Sequence, residues 1–238
     1  TLKTRISAAN KEQIDKAIGR LNSSKKQSNE PYSQAFENEY AVLTIKTFAF
    51  YDDAGRNKFK AFIDDFFTEL ENRKITNLVL DLRDNWGGDP YCTSHLFSYL
   101  ISKPAPYFSS ESGNYYANLK QPIAPARNKY KGELYTLING ASFSSTGHLC
   151  ALLKFHKIGT FIGEESGGSF VCTDGSRDIA LNNTKLNFHY STTPWKVAVS
   201  GLTPGRGIMP EHIVTPAIQD YLNEKDAIKD YTIGLVRK

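Results

Sequence analysis

Long apolar runs are missing from this chain of 238 residues. No stretch approaches the roughly 18 consecutive apolar residues that would argue for a membrane span. Runs of like charge are missing too. The 29 Lys and Arg are interspersed with 25 Asp and Glu, for a formal net charge of +4, so no nucleic-acid or membrane partner is implied. Cysteine is scarce: Cys92, Cys150 and Cys172 form no CxxC and no paired spacing, which argues against a disulfide framework or a zinc site. Their odd number leaves at least one thiol unpaired within the chain. Cys150 lies on an apolar helix face and reads as a small core residue rather than a nucleophile. There is no internal repeat, no low-complexity segment, and no indication of a metal or organic cofactor. The chain opens at Thr1 without Met, apolar signal core or cleavage pattern, so its N-terminus is expected to be a processed or truncated boundary.

What is present suffices for one domain. Forty per cent hydrophobic composition over this length can bury a full core. Residues 8–22 carry Ile14, Ala17, Ile18 and Leu21 at helical spacing, and the polar run SSKKQSNEP follows as a linker. The division expected is an N-terminal helix and linker over 1–39 and a single domain over 40–238. Tyr40 to Ile45 reads as a strand. Phe59, Phe62, Ile63, Phe66, Phe67 and Leu70 repeat as one face of a core-facing helix. A buried strand from Leu78 to Leu82 precedes a glycine turn and the helix YCTSHLFSYLI. A further strand at 134–138, a helix at 145–154 and the short strand IGTFIG continue the alternation. The last third turns strand-rich through ALNNTKLNFHYSTTPWKVAV and GIMPEHIV, and closes in one or two helices. Strands alternating with helices predict an α/β fold with parallel pairing and function in the turns beyond the strands' carboxyl ends.

Three of those turns carry residues able to do chemistry. In DLRDNWGGDP, the Gly87-Gly88 pair after a buried strand lets backbone N–H groups approach a ligand, although the pair by itself reads more readily as a tight turn before a helix. The turn fits neither GxGxxG nor the Walker A pattern, so it does not read as a phosphate cradle. In NGASFSSTG, residues 139–147, a serine between strand and helix has an exposed Oγ beside unsatisfied helix N–H groups. Helix capping by Ser142 or Ser145 is the competing account. EESGGS after Gly163 makes the third turn.

These motifs in this order resemble the S41 peptidases, the family of tail-specific and C-terminal processing proteases with tricorn-core and interphotoreceptor retinoid-binding branches. The family pattern DLRxNxGG is met by Asp81-Leu82-Arg83-Asp84-Asn85-Trp86-Gly87-Gly88, and N-x-x-S-x-S-x-[ST] by Asn139 through Thr146. That register selects Ser144 as nucleophile. The resemblance implies an oxyanion hole from N–H groups of Gly87, Gly88 and Ser145, a ClpP/crotonase-like α/β spiral, a polypeptide substrate and an extracytoplasmic setting.

The departures concern the base. The processing proteases place a lysine after G-E-x-x-x-G; here Gly163-Glu164-Glu165-Ser166-Gly167-Gly168 leads to Ser169. The tricorn-like branch draws a histidine from an upstream motif, and no histidine precedes Tyr40. His148, four residues after Ser144, is a candidate substitute on helical spacing, and His95 is another. No orienting carboxylate can be assigned, although Glu164 and Glu165 sit at the third turn. Residues 23–39 are too few for a PDZ-like module. A second reading keeps the fold but makes it a non-catalytic ligand- or peptide-binding module, its pocket lined from the 14 Phe and 13 Tyr. A crotonase-like acyl-CoA enzyme shares the N–H logic but does not explain the serine-rich turn.

Overall fold

The structure, a computed structural model, describes residues 11, 30–174 and 177–237. The helix expected over 8–22 lies outside the described residues.

The chain begins with β1 (Tyr32–Phe36) and β2 (Ala41–Ile45), followed by helix α1 (Asp53–Arg73), β3 (Asn77–Asp81) and helix α2 (Pro90–Leu100). Short strands β4 (Ala105–Pro106) and β5 (Pro122–Ile123) lead to β6 (Glu133–Ile138), helix α3 (Ser145–Phe155) and β7 (Thr160–Gly163). The strand-rich third comprises β8 (Val171–Asp174), β9 (Arg177–Ala180), β10 (Asn187–Tyr190), β11 (Thr193–Lys196) and β12 (His212–Ile213). Helices α4 (Ile218–Leu222) and α5 (Ala227–Val236) close it.

Six strands form the central sheet in the order β1-β2-β3-β6-β7-β12, with β2 through β12 parallel and β1 antiparallel at the edge. Side-chain alternation along each strand divides the core. Ala41, Leu43 and Ile45 of β2, Leu78 and Leu80 of β3 and Phe161 of β7 join the large cluster with α1, α2 and α3. Val42, Val79, Leu137 and Ile162 face the other way and meet Ile228 of α5. This is the mixed α/β architecture that the strand-helix alternation predicts.

Local chemistry explains the helix bounds. Asp52 caps α1 by accepting from Gly55 N–H at 2.7 Å, and Lys74 ends it in the left-handed region at φ 55°. Phe59, Ile63, Phe66, Phe67 and Leu70 are buried as their spacing predicts. Phe62 instead rests on Tyr32 of β1, with ring centroids 4.3 Å apart. That contact and the β1–β2 ladder show that residues 32–36, read as linker from their polar flanks, are part of the sheet. Asp89 caps α2 ahead of Pro90, which occupies the first turn where a missing N–H costs nothing.

Candidate active site

The carboxyl ends of neighbouring parallel strands β3, β6 and β7 bring the three turns together. Their contact is a set of backbone and side-chain bonds rather than mere proximity. Phe143 N–H donates to Asn85 O at 2.9 Å, and Gly168 N–H to Ser142 O at 2.9 Å. Asp84 N–H donates to Asn139 Oδ1 at 3.0 Å, while Asn139 Nδ2 donates back to Asp84 Oδ1 at 2.9 Å.

Asn85 organises this junction. Fully buried, it donates from Nδ2 to Ile45 O at 2.9 Å and accepts at Oδ1 from Gly87 N–H at 2.9 Å and Thr146 Oγ1 at 2.8 Å. One amide thus joins the end of β2, the glycine turn and the first turn of α3. Sequence reasoning assigned neither Asn85 nor Thr146 a role beyond its place in a motif, and in the polar run Arg83-Asp84-Asn85 no signal marks Asn85 as the buried one.

The three serines of NGASFSSTG separate by geometry. Ser142 is buried and braces its own turn, donating to Leu82 O at 2.9 Å and accepting from Asn139 N–H at 3.1 Å. Ser145 is the first residue of α3, and its buried Oγ has no hydrogen-bond partner. Neither hydroxyl caps the helix. Ser144 holds the N-cap position, also without a capping bond from its side chain, at φ 54° and ψ −125°. A non-glycine residue there stores about 1–3 kcal/mol of backbone strain, as in sharp strand-to-helix turns that push a nucleophile outward. Its Oγ lies 4.0 Å from Cys172 Sγ of β8.

Two backbone N–H groups beside Ser144 have no hydrogen-bond partner among the described residues: that of Ser145, at the start of α3, and that of Gly88. Gly88 reaches its place because Phe48 N–H donates to Gly87 O at 2.9 Å and Asp89 N–H to Phe48 O at 2.8 Å, leaving its own N–H out of that bridge. Gly87 differs from the expectation. Its N–H is occupied by Asn85 Oδ1, so it is not a free donor. Its contribution is shape: at φ 92°, a Cβ there would meet Phe143 O at 2.7 Å, Ser144 Cβ at 2.8 Å and Ser145 N at 2.9 Å. A pair of unsatisfied N–H groups at a helix start can hold a developing oxyanion.

The histidines expected as substitute bases are placed otherwise. His148 is 1% exposed and packs edge-on to Tyr107 and Phe108, with centroids at 6.2 and 5.7 Å. Neither ring nitrogen bonds Ser144, and the polar group that acts on the ring is the Trp195 backbone. Burial pulls its pKa down to about 4, leaving a neutral imidazole at neutral pH. The same-face argument from helical spacing fails because Ser144 departs from helical geometry and turns away from α3. His95 pairs instead with Asp64 of α1 at 2.6 Å. Ser169, where the processing proteases carry lysine, has a buried Oγ without a partner. Glu165 holds the 201–210 loop, accepting from Gly207 N–H at 2.9 Å and Arg206 at 2.7 Å. Cys150 is a core residue, its thiol pushed up to about 12 by burial. Among the described residues no helix is long and apolar enough to cross a membrane, and no cluster of His, Cys, Asp and Glu has the makings of a metal site.

The central sheet is mostly parallel, and at its carboxyl end a strained serine at a helix start lies beside a glycine turn. The model of peptidase family S41 matches residues 39–211, and the chain belongs to that family. No curated protein matches it. Among solved structures, a proposed peptidase from Parabacteroides merdae is similar at TM-score 0.60 and 16% identity, covering 91% of this chain and 69% of its own. Mature CPAF superposes at TM-score 0.59 with 15% identity, over 83% of this chain and 52% of its own. The photosystem II D1 C-terminal processing protease does so at TM-score 0.54 with 17% identity, over 79% and 49%. At these identities what is shared is the fold, and the chain spans about half the length of the two proteases.

Proposed function

We propose that this chain is a serine peptidase domain in which Ser144 attacks a peptide carbonyl and forms an acyl-enzyme. The carrying observation is the strained Ser144, its side chain free of capping, set beside the unpartnered N–H groups of Gly88 and Ser145. In this reading those two N–H groups receive the carbonyl oxygen as it becomes negative, and the α3 N-terminus adds a favourable field. Attack transfers the Ser144 proton to a base and then to the departing amine; water hydrolyses the acyl-enzyme. No histidine or lysine among the described residues hydrogen-bonds Ser144 Oγ, and the general base stays unassigned.

A polypeptide substrate suits the strand next to Ser144. The far edge of β11 is covered by residues 109–113, through Ser109 N–H to Lys196 O at 2.9 Å and Gly113 N–H to Pro194 O at 3.2 Å. β8 pairs only with β11, so its other edge is open, among the described residues, to an added strand. An extracytoplasmic setting belongs to the same proposal, on the likeness of the motifs to the processing-protease branch.

Fluorophosphonate labelling read by intact mass and peptide mapping tests it. A single adduct at Ser144, lost in Ser144→Ala, is the expected result. No adduct, with peptide binding retained, favours the second reading of a binding module on the same fold, which a buried His148 that does not bond Ser144 and the serine at position 169 also favour.

A further inference from the structure

We propose that Trp86 and Phe143 form an aromatic subsite that selects an apolar side chain next to the scissile bond. This deepens the peptidase reading and rests on it. Both residues are exposed, Trp86 at 71% and Phe143 at 44%, and their rings meet edge to face with centroids 6.4 Å apart. Scattered exposed aromatics are ordinary on a protein surface. These two touch each other, and each immediately precedes a residue of the proposed reaction centre: Trp86 precedes Gly87, and Phe143 precedes Ser144.

Their pairing follows from how the turns abut. The Phe143 N–H bond to Asn85 O aligns the serine turn with the glycine turn, so the next residue along, Trp86, lies beside the Phe143 ring. The third turn contributes a floor: a Cβ on Gly167 would lie 3.5 Å from Phe143 Cδ2, which places the ring against that glycine. The β3–α2 and β6–α3 turns therefore each supply one element of the reaction centre and one aromatic ring. Neither ring is needed by the hydrophobic core, and both expose apolar surface at the point where a substrate carbonyl would enter between Gly88 and Ser145. Covering that surface with an aliphatic or aromatic side chain removes apolar area from water and adds ring contacts, whereas a charged side chain would give up hydration against two uncharged rings.

The chain reports on this subsite through its own fluorescence. It has two tryptophans, and the other, Trp195, is 7% exposed in the core. Iodide quenching of tryptophan emission therefore follows Trp86. In the Ser144→Ala protein, titration with an acetylated peptide of about ten residues carrying Leu or Phe at its centre is expected to protect Trp86 from iodide. The same peptide with Asp at that position is expected to bind about tenfold more weakly, a change on the scale of one buried apolar side chain. In the Ser144-containing protein, the ratio of kcat/KM for the Leu peptide over the Asp peptide should fall about tenfold in Trp86→Ala and in Phe143→Ala. Tyr115→Ala, an exposed aromatic elsewhere, should leave that ratio as it is. Equal loss toward both peptides would mean a structural role and overturn the subsite. So would failure of either peptide to protect Trp86, or a concentration-dependent doubling of mass abolished by Trp86→Ala, which would make the pair a contact between copies. Protection of Trp86 without any fluorophosphonate adduct would keep the subsite while sinking the peptidase reading.

Discussion

Asn85 and Thr146 are joined by a 2.8 Å hydrogen bond that crosses from the glycine turn to the first turn of α3. The same asparagine oxygen holds Gly87 N–H, so the position of both turns depends on one buried amide. Asn85→Ala would strand Ile45 O, Gly87 N–H and Thr146 Oγ1 in a dry interior. The expected cost is about 3 kcal/mol, from partners each worth roughly 1–3 kcal/mol when left unsatisfied. Thr146→Val, which removes one bond and keeps the shape, should cost only about 1 kcal/mol. Urea denaturation of the three proteins measures the difference; equal stability for Asn85→Ala and the parent would remove Asn85 from this role.

The two glycines of the turn should fail differently. A Cβ at Gly88, φ 143°, would lie 2.1 Å from Phe48 C and 2.2 Å from Ala49 N, so Gly88→Ala has to push the turn off the β2–α1 connection and should compromise folding. Gly87→Ala meets Ser144 Cβ and Ser145 N, atoms at the mouth of the site. It should slow fluorophosphonate labelling of Ser144 by about a hundredfold, the scale of losing one oxyanion donor, with a smaller loss of melting temperature than Gly88→Ala. The reverse order would show that Gly87 serves the fold rather than the site.

Much of this was legible beforehand, and the gaps have physical causes. The α1 face and the alternation of β3, α2, β6, α3 and β7 follow from periodicity because each element buries one side against a common core. β1 was missed because its burial pattern is intermediate at Tyr32 and Phe36 and exposed between, as suits an edge strand with little to bury. The meeting of the three turns was predictable from parallel strands. The occupancy of Gly87 N–H was not, since it depends on an asparagine side chain folding back two residues. Nor was the orientation of His148 legible: the spacing rule assumes helical dihedrals at both residues, and Ser144 lacks them.

Acid should weaken the fold through His148. Its ordinary pKa of about 6.5 applies in the unfolded chain, whereas burial pulls it down to about 4 in the folded one. Above about 6.5 both states hold a neutral ring. As the pH falls from there through about 4, the unfolded state takes up the proton first, and stability is lost by on the order of 2–3 kcal/mol. Asp226 acts in a lower window: burial raises its pKa, but the Arg83 hydrogen bonds and charge outweigh that and hold it below 3.8. Its contribution is present above the ordinary carboxylate range and is lost as the pH drops through its lowered value. Unfolding free energies at pH 7 and pH 4.5 should therefore converge in His148→Phe but stay apart in Asp226→Asn. If His148→Phe keeps the full difference, another group carries the acid sensitivity.

The thiol beside Ser144 gives a way to block the proposed site without altering Ser144 itself. Cys172 Sγ lies 4.0 Å from Ser144 Oγ on a half-buried strand, while Cys92 and Cys150 are buried with thiols pushed up to about 12. Thiolate, not thiol, reacts with methyl methanethiosulfonate, so a brief treatment near neutral pH should modify Cys172 ahead of the other two. The added methylthio group then occupies space next to Ser144 Oγ. Fluorophosphonate labelling should drop by about tenfold or more after treatment and return on reduction with dithiothreitol. Cys172→Ala should be labelled at Ser144 and be insensitive to the reagent. Inhibition that persists in Cys172→Ala would place the reactive thiol elsewhere, and full labelling of the methylthiolated parent would mean that Ser144 is approached from the side away from β8.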